Sequence, residues 1–220
     1  MLSVLSGWLQ PTYDAFFNSL PFDHRWRLLL FQPLAILINL MKHLPWILSD
    51  RYTVHQISTR EGRSVRAIVF QPPRRGDPNR LRPLHVDVHG GAFIGGIAEA
   101  NAAFCALVSD RTGAVVVSTE HRVAPRYTFP AAHDDVDDVI SFLLENAQSM
   151  FGADPKLLTV SGFSAGSNLA LAASQQKACQ PPADTAIKAS VTFYAPVSNV
   201  SMRQRNRSLR SPIVTSLLGG

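Results

Sequence analysis

Cysteine is scarce in this 220-residue chain, which contains only Cys105 and Cys179. Two cysteines cannot build a disulfide framework, and both lie in alanine-rich stretches where a free thiol packs like a small apolar residue. The composition therefore excludes a disulfide-stapled secreted domain and favours a reducing compartment. Lysine and arginine are absent before Arg25, so the N-terminus also lacks the basic start of a secretory signal. We expect a cytoplasmic protein that is not secreted.

Long unbroken hydrophobic runs are missing as well. The best candidate, residues 28–48, is interrupted by polar residues and prolines, whereas spanning a bilayer needs ~20 nearly continuous apolar residues. Residues 1–50 are nevertheless rich in aromatic side chains, and we expect their prolines to divide them into short helices. This segment is predicted to be either a helical cap over an apolar pocket or an interfacial segment that contacts a membrane surface.

An excess of positive or negative charge is also missing from residues 1–185, where basic and acidic residues balance. The formal net charge of +5 is carried by Lys188 and by Arg203, Arg205, Arg207 and Arg210. No aromatic residues are interleaved with these arginines, and no nucleic-acid-binding motif surrounds them. We therefore expect a solvated loop there and no nucleic-acid partner.

From residue 51 onward, short β-rich runs alternate with helical patterns. The predicted strands are 52–58, 65–70, 84–88, 114–118, 157–160 and 189–194, and the predicted helices are 101–110, 132–148 and 164–175. The first two strands alternate polar and apolar residues, which is typical of half-buried strands, while the next two have the pattern of fully buried ones. Strands separated by helices predict an α/β three-layer sandwich with a mostly parallel sheet. We expect a core domain over 51–220 behind the cap at 1–50.

The sharpest motif is Gly162-Phe163-Ser164-Ala165-Gly166, directly after a buried strand and before a helix. A Gly-x-Ser-x-Gly elbow needs this context, because its tight turn leaves no room for side chains at Gly162 and Gly166. The turn raises the Ser164 hydroxyl above the sheet at a helix N-terminus, where negative charge is stabilised. Ser164 is therefore the candidate nucleophile.

A second motif, His89-Gly90-Gly91-Ala92-Phe93, follows the third predicted strand. A tetrahedral oxyanion needs backbone N–H donors that no side chain obstructs, and a glycine-rich loop offers them. We predict an oxyanion hole formed by Gly90, Gly91 and Ala92 together with Ala165, the residue after the nucleophile. The two motifs together make a chance match much less plausible than either does alone.

These motifs, with EHRVAPRYTFPAAHDD from Glu120 between them, resemble the hormone-sensitive lipase branch of the α/β-hydrolases. The resemblance covers about residues 50–200. It implies the α/β-hydrolase fold and a serine carboxylesterase or lipase that hydrolyses small apolar esters of short or medium acyl chains, with no cofactor and no metal. The sequence departs from the family pattern at Ala92, Phe163, Arg126 and Ser167, of which Phe163 places a large ring beside the nucleophile.

The family pattern also includes a histidine that accepts the serine proton, and the chain departs from the pattern at this residue as well. In this fold the triad histidine and carboxylate follow the nucleophile, yet all seven histidines precede Ser164, and Asp184 is the only acid after it. We interpret His89 as bonded to backbone, and His121 and His133 as residues that support packing and loops.

The end of the sequence leads to a further expectation. Residues 211–218 resemble the start of a cap helix, and the final strands of the fold are predicted to be missing, through truncation or because another chain supplies them. Two functions stay open. One is an esterase that is impaired in this chain, and the other is a non-catalytic protein with a ligand-binding or regulatory role.

Overall fold

The computed structural model describes residues 13, 26, 37–38, 41–73, 80–178 and 187–196. Its strands are β1 (Thr53–Ser58), β2 (Ser64–Phe70), β3 (Arg82–Val88), β4 (Val115–Thr119), β5 (Ala153–Phe163) and β6 (Ala189–Phe193). Its helices are α1 (Ala102–Thr112), α2 (Ala131–Phe151) and α3 (Ala165–Ala178), with 3₁₀ turns at Arg60–Gly62 and Ala98–Asn101. Residues 41–47 are also helical. The regions around Cys179, Asp184 and the predicted cap-helix start at 211–218 lie outside the described residues.

The six strands form one sheet in the order β1-β2-β4-β3-β5-β6. β2 runs antiparallel to both β1 and β4, whereas β3 is parallel to β4 and β5, and β5 is parallel to β6. The predicted mostly parallel sheet is confirmed. Because β3 and β5 are parallel neighbours with Val88 opposite Gly162, their carboxyl ends emerge side by side. Ligand sites in such sheets lie at these ends.

Helices cover both faces of the sheet. α2 and α3 pack on one face, where Val136, Val139, Ile140 and Leu143 recur at helical spacing and are fully buried. α1 packs on the other face, with Cys105 buried in a cluster that includes Phe70. The core therefore has the three layers expected from alternating strands and helices.

Two local features differ from the sequence-based expectations. β2 was expected to be half-buried, but only its first residue is exposed, because the strand lies between two neighbours and its polar Arg66 finds buried partners. β5 is longer than the predicted 157–160, since Ala153 and Asp154 also pair with the start of β3 across a register shift.

A buried ion-pair network explains how β2 tolerates an arginine. The Arg66 guanidinium donates to both carboxylate oxygens of Glu99, which is fully buried, and to Glu120 at 2.8 Å. The Tyr52 hydroxyl donates to the same Glu99 carboxylate at 3.0 Å. Burial and the charge of Glu99 raise the pKa of Tyr52. The network ties β2 to the turn that precedes α1.

The aromatic N-terminal segment is described only near its end. Trp46 packs edge-on against Phe70, with ring centroids 6.4 Å apart, so residues 41–50 contact the α1 side of the core. Within the described part of the chain, no helix has the length and apolar character needed to cross a bilayer. Whether residues 1–50 form a cap or an interfacial segment stays a prediction, because most of them lie outside the described residues.

We expect Glu99→Ala to destabilise the protein by about 3 to 5 kcal/mol, because it leaves the buried Arg66 charge poorly paired. Replacing both partners, as Arg66→Met with Glu99→Leu, should cost much less. Urea unfolding measures both effects. Arg51→Ala is the control, since the partly exposed Arg51–Asp110 pair should contribute less than about 1 kcal/mol. A Glu99→Ala loss no larger than the control would contradict the buried-charge argument.

Candidate active site

Ser164 occupies a strained turn between β5 and α3. Its φ is +52°, a left-handed conformation that non-glycine residues rarely adopt. The Ser164 N–H donates to the Phe193 carbonyl at 2.9 Å, and its own carbonyl accepts from the Ser167 N–H at 2.9 Å. These bonds hold the turn in place from β6 and from the first turn of α3. Strain supported in this way is typical of functional sites.

Close backbone packing accounts for the glycines of the elbow. A methyl group placed on Gly166 would lie 2.1 Å from the Val88 carbonyl oxygen, and one on Gly162 would lie 2.4 Å from the Gly166 carbonyl oxygen. Neither backbone atom can move without displacing a strand or the helix. The interpretation that both positions must be glycine agrees with this geometry.

The glycine-rich loop after β3 lies directly against the elbow. A methyl group on Gly90 would lie 3.3 Å from Cβ of Ser164 and 2.7 Å from the Phe163 carbonyl oxygen. Gly91, Ala92 and Phe93 follow with φ values of +134°, +54° and +61°. The structure therefore brings the two predicted motifs together, while the roles of Gly90, Gly91, Ala92 and Ala165 as oxyanion donors remain proposals.

The loop's unusual backbone is held by hydrogen bonds. The Ile94 N–H donates to the Gly91 carbonyl at 3.0 Å, and the Ala124 N–H donates to the Phe93 carbonyl at 2.7 Å. Ala92 therefore accommodates a left-handed conformation that costs roughly 1 kcal/mol for a residue with a side chain.

Phe163 has its own aromatic pocket. Its ring stacks on Phe193 with centroids 4.3 Å apart, and Phe104 meets it edge-on at 5.3 Å. The large side chain beside the nucleophile is thus packed against α1 and β6.

Three of the described histidines, His89, His121 and His133, have partners other than the Ser164 hydroxyl. His89 contacts the Gly90 carbonyl at 2.7 Å through Nδ1, as expected, and its ring stacks on His121 at 4.5 Å. Both rings are buried, and burial lowers the pKa of each. His133 is half-buried, bonds the Asn168 side chain and stacks near Phe93 at 6.4 Å. It supports both the loop and α3.

A second group of polar residues lies beneath the elbow, and the sequence analysis missed it. Ser161 donates to Asp87 at 2.6 Å and contacts His85 Nε2 at 2.9 Å. Ser161 and Asp87 are fully buried, and the carboxylate contacts the serine rather than the histidine, so these residues are not a second triad. The available signal was a polar residue at every second position in two otherwise apolar stretches, residues 84–88 and 157–161.

Comparison with known proteins agrees with this geometry. Residues 85–216 match the family described as having the alpha/beta hydrolase fold, which is more than half of the chain. The chain belongs to the α/β-hydrolase family. Its resemblance to the hormone-sensitive lipase branch is confirmed, and this α/β-hydrolase is esterase- or lipase-like.

Among curated relatives, the arylacetamide deacetylase of Oryctolagus cuniculus is 34% identical over 137 residues, which cover 61% of this α/β-hydrolase and 34% of that protein. The ethyl acetate hydrolase of Pseudomonas putida is 30% identical over 148 residues, covering 67% and 45% of the two chains. This α/β-hydrolase therefore spans less than half the length of these two relatives.

Solved structures show the same similarity. The hyperthermophilic esterase of Pyrobaculum calidifontis superposes with a TM-score of 0.59 at 34% identity, covering 67% of this chain and 46% of that one. A thermostable carboxylesterase cloned from a metagenomic library superposes with a TM-score of 0.65 at 28% identity, covering 76% and 55%.

Gly166→Ala should destabilise this α/β-hydrolase by about 1 to 3 kcal/mol, because the new methyl group overlaps the Val88 carbonyl. Gly95→Ala is the matched control from the glycine-rich loop, since a methyl group there meets nothing within 4 Å. Chemical denaturation of both variants measures the difference. Equal stabilities would show that the elbow has more room than these distances indicate.

Stability should fall as the pH is lowered from about 6.5 to 5. Burial lowers the pKa of His85 to about 4 and of His89 to about 3, whereas both protonate near pH 6.5 in the unfolded chain. The unfolded state therefore binds more protons in this window, and integration to the folded pKa gives a cost of roughly 3 kcal/mol for His85 and roughly 5 kcal/mol for His89.

Asp87 acts in the opposite direction, because burial raises its pKa to about 6 and stabilises the folded state as the pH falls from 6 toward 4. The two histidines together outweigh this single carboxyl. Urea unfolding at pH 7.5, 6.5, 5.5 and 5.0 tests the sign, and His85→Gln should flatten the slope. Unchanged or rising stability toward pH 5 would show that these imidazoles are not held neutral.

Proposed function

We propose that this protein has the site of a serine carboxylesterase in which the Ser164 hydroxyl attacks the acyl carbon of a small apolar ester. One observation carries the proposal: Gly90 packs against Ser164, so a glycine-rich loop and a strained nucleophile turn meet at the carboxyl ends of β3 and β5. Amide donors beside a raised hydroxyl are what acyl transfer requires.

In the proposed reaction, the Ser164 hydroxyl gives its proton to a base as its oxygen forms a bond to the carbonyl carbon, and the carbonyl oxygen becomes an oxyanion. The N–H groups of Gly91, Ala92 and Ala165 stabilise that charge, with Gly90 giving the loop its close approach. Collapse breaks the ester C–O bond, the base returns the proton so that the alcohol leaves, and water then hydrolyses the acyl-serine. The proposed acyl chain is short or medium and the reaction takes no cofactor; the relatives named arylacetamide deacetylase and ethyl acetate hydrolase support the short chain.

The chemistry also needs a base, and we infer that the 220-residue chain is impaired for lack of one. All seven histidines precede Ser164 in the sequence. His89 and His121 are buried against each other, and His133 bonds Asn168. Losing a triad member costs about 10⁴ to 10⁶ in turnover, which the oxyanion hole does not restore.

The expected result with a p-nitrophenyl butyrate assay is turnover about 10⁴-fold or more below that of a full-length esterase relative, at the level of the Ser164→Ala control, because a nucleophile without a base contributes little. Phe163 and the elbow stay intact in that control. Turnover equal to the relative's would overturn the proposed impairment, and turnover at that level that survives Ser164→Ala would also overturn Ser164 as the nucleophile.

A second candidate function is a non-catalytic protein that holds a small apolar ligand in the same site. The position of every histidine before Ser164 favours it. A fluorophosphonate probe separates the two functions, because covalent labelling that Ser164→Ala abolishes requires an activated serine. Tight ligand binding without labelling would favour the binding protein.

A further inference from the structure

Four polar side chains form a line between β3 and β5 beneath the elbow. The strand register places Asp87 opposite Ser161 and His85 opposite Thr159. Ser161 Oγ lies 2.6 Å from Asp87 Oδ1 and 2.9 Å from His85 Nε2, and His85 Nδ1 lies 2.8 Å from Thr159 Oγ1. Each side chain is within hydrogen-bond distance of the next, so the line is continuous.

An ionised Asp87 sets the direction of every bond in the line. A carboxylate only accepts, so the Ser161 hydroxyl donates to it. The Ser161 oxygen is then free to accept from His85 Nε2–H. Because a neutral imidazole carries one proton, His85 Nδ1 must accept from the Thr159 hydroxyl. The ionised state therefore requires the Nε2–H tautomer of His85.

The groups around Asp87 are compatible with both the ionised and the protonated form of its carboxyl group. The Asn101 side-chain amide donates to Oδ2 at 2.8 Å. From α1, the Cys105 thiol bonds the carboxylate and also has Ser118 within reach, and burial raises the pKa of this thiol. His85 and Cys105 are the titratable groups that face Asp87 among the described residues.

One added proton can reverse the direction of every hydrogen bond in the line. A proton that enters at Thr159, which is only partly buried, displaces the hydroxyl proton of Thr159 to His85 Nδ1. His85 then releases its Nε2 proton to Ser161, and Ser161 passes its proton to Asp87. One proton is gained, no charge is left on the imidazole, and Thr159 can donate to the Leu84 carbonyl, 3.5 Å away.

The geometry points to a proton relay in which Thr159, His85, Ser161 and Asp87 clamp β3 to β5 and change their hydrogen-bond direction together when Asp87 is protonated. The clamp lies two residues before His89 of the glycine-rich loop and one before Gly162 of the elbow. It acts as a positioning element for the site above it. This inference rests on β3 and β5 and does not require Ser164 to be reactive.

The tautomer of His85 is the measurement that tests the relay. Burial raises the pKa of Asp87 to about 6 and lowers that of His85 to about 4, so Asp87 titrates between pH 7.5 and 5 while the imidazole stays neutral. Long-range ¹H–¹⁵N spectra of the ¹⁵N-labelled full chain distinguish the two tautomers. We expect Nε2–H at pH 7.5 and Nδ1–H at pH 5.

Two variants sharpen the result. In Asp87→Asn, the new carbonyl oxygen accepts from Asn101 and the new amide N–H donates to Ser161, so His85 should be Nδ1–H already at pH 7.5. In Ser161→Ala, the line is cut, and the His85 tautomer should not change between pH 7.5 and 5. An Nδ1–H tautomer in the unaltered chain at pH 7.5, or the same tautomer at both pH values, would overturn the relay even if a variant failed to fold.

Discussion

The close approach of β3 and β5 at their carboxyl ends is the constraint on which the site depends. The Val88 carbonyl lies so near Gly166 that a side chain there cannot fit, and a methyl group on Gly90 would lie 2.7 Å from the Phe163 carbonyl oxygen. Because α3 starts immediately after β5, this contact fixes the helix N-terminus, the elbow and the glycine-rich loop relative to one another. Ser164 accepts a positive φ because all three elements hold it there.

Buried polar groups support this arrangement from below. The turn that closes the glycine-rich loop is held at three points: Ser118 donates to the Ala98 carbonyl at 2.8 Å, Arg66 pairs with Glu99, and Asn101 bonds Asp87. Each buried polar group is costly unless it is bonded, so an alternative position of the turn would leave several groups unsatisfied. Hydrogen bonds and an ion pair therefore hold the end of the glycine-rich loop, and close backbone packing at Gly90 holds its start.

Charged side chains also organise the outer helix layer. Arg60 contacts three aspartates of α2 at Asp134, Asp137 and Asp138, and Lys177 of α3 pairs with Asp137 at 2.8 Å. These pairs join the turn after β1 to α2, and α2 to α3, the helix that follows the elbow. The acidic face of α2 is thereby neutralised by residues from two separate parts of the chain.

The sequence by itself determined the order and type of the elements and the identity of the two motifs, because hydrophobic periodicity and glycine-restricted turns are local properties. The strand patterns and the glycines around Ser164 were sufficient for that. Only the tertiary structure decided that β2 is buried on both faces, that Phe163 packs among Phe104 and Phe193, and that His85, Asp87 and Ser161 meet. Those contacts join residues far apart in the chain, and which strands become neighbours depends on the packing of the whole sheet rather than on any local pattern.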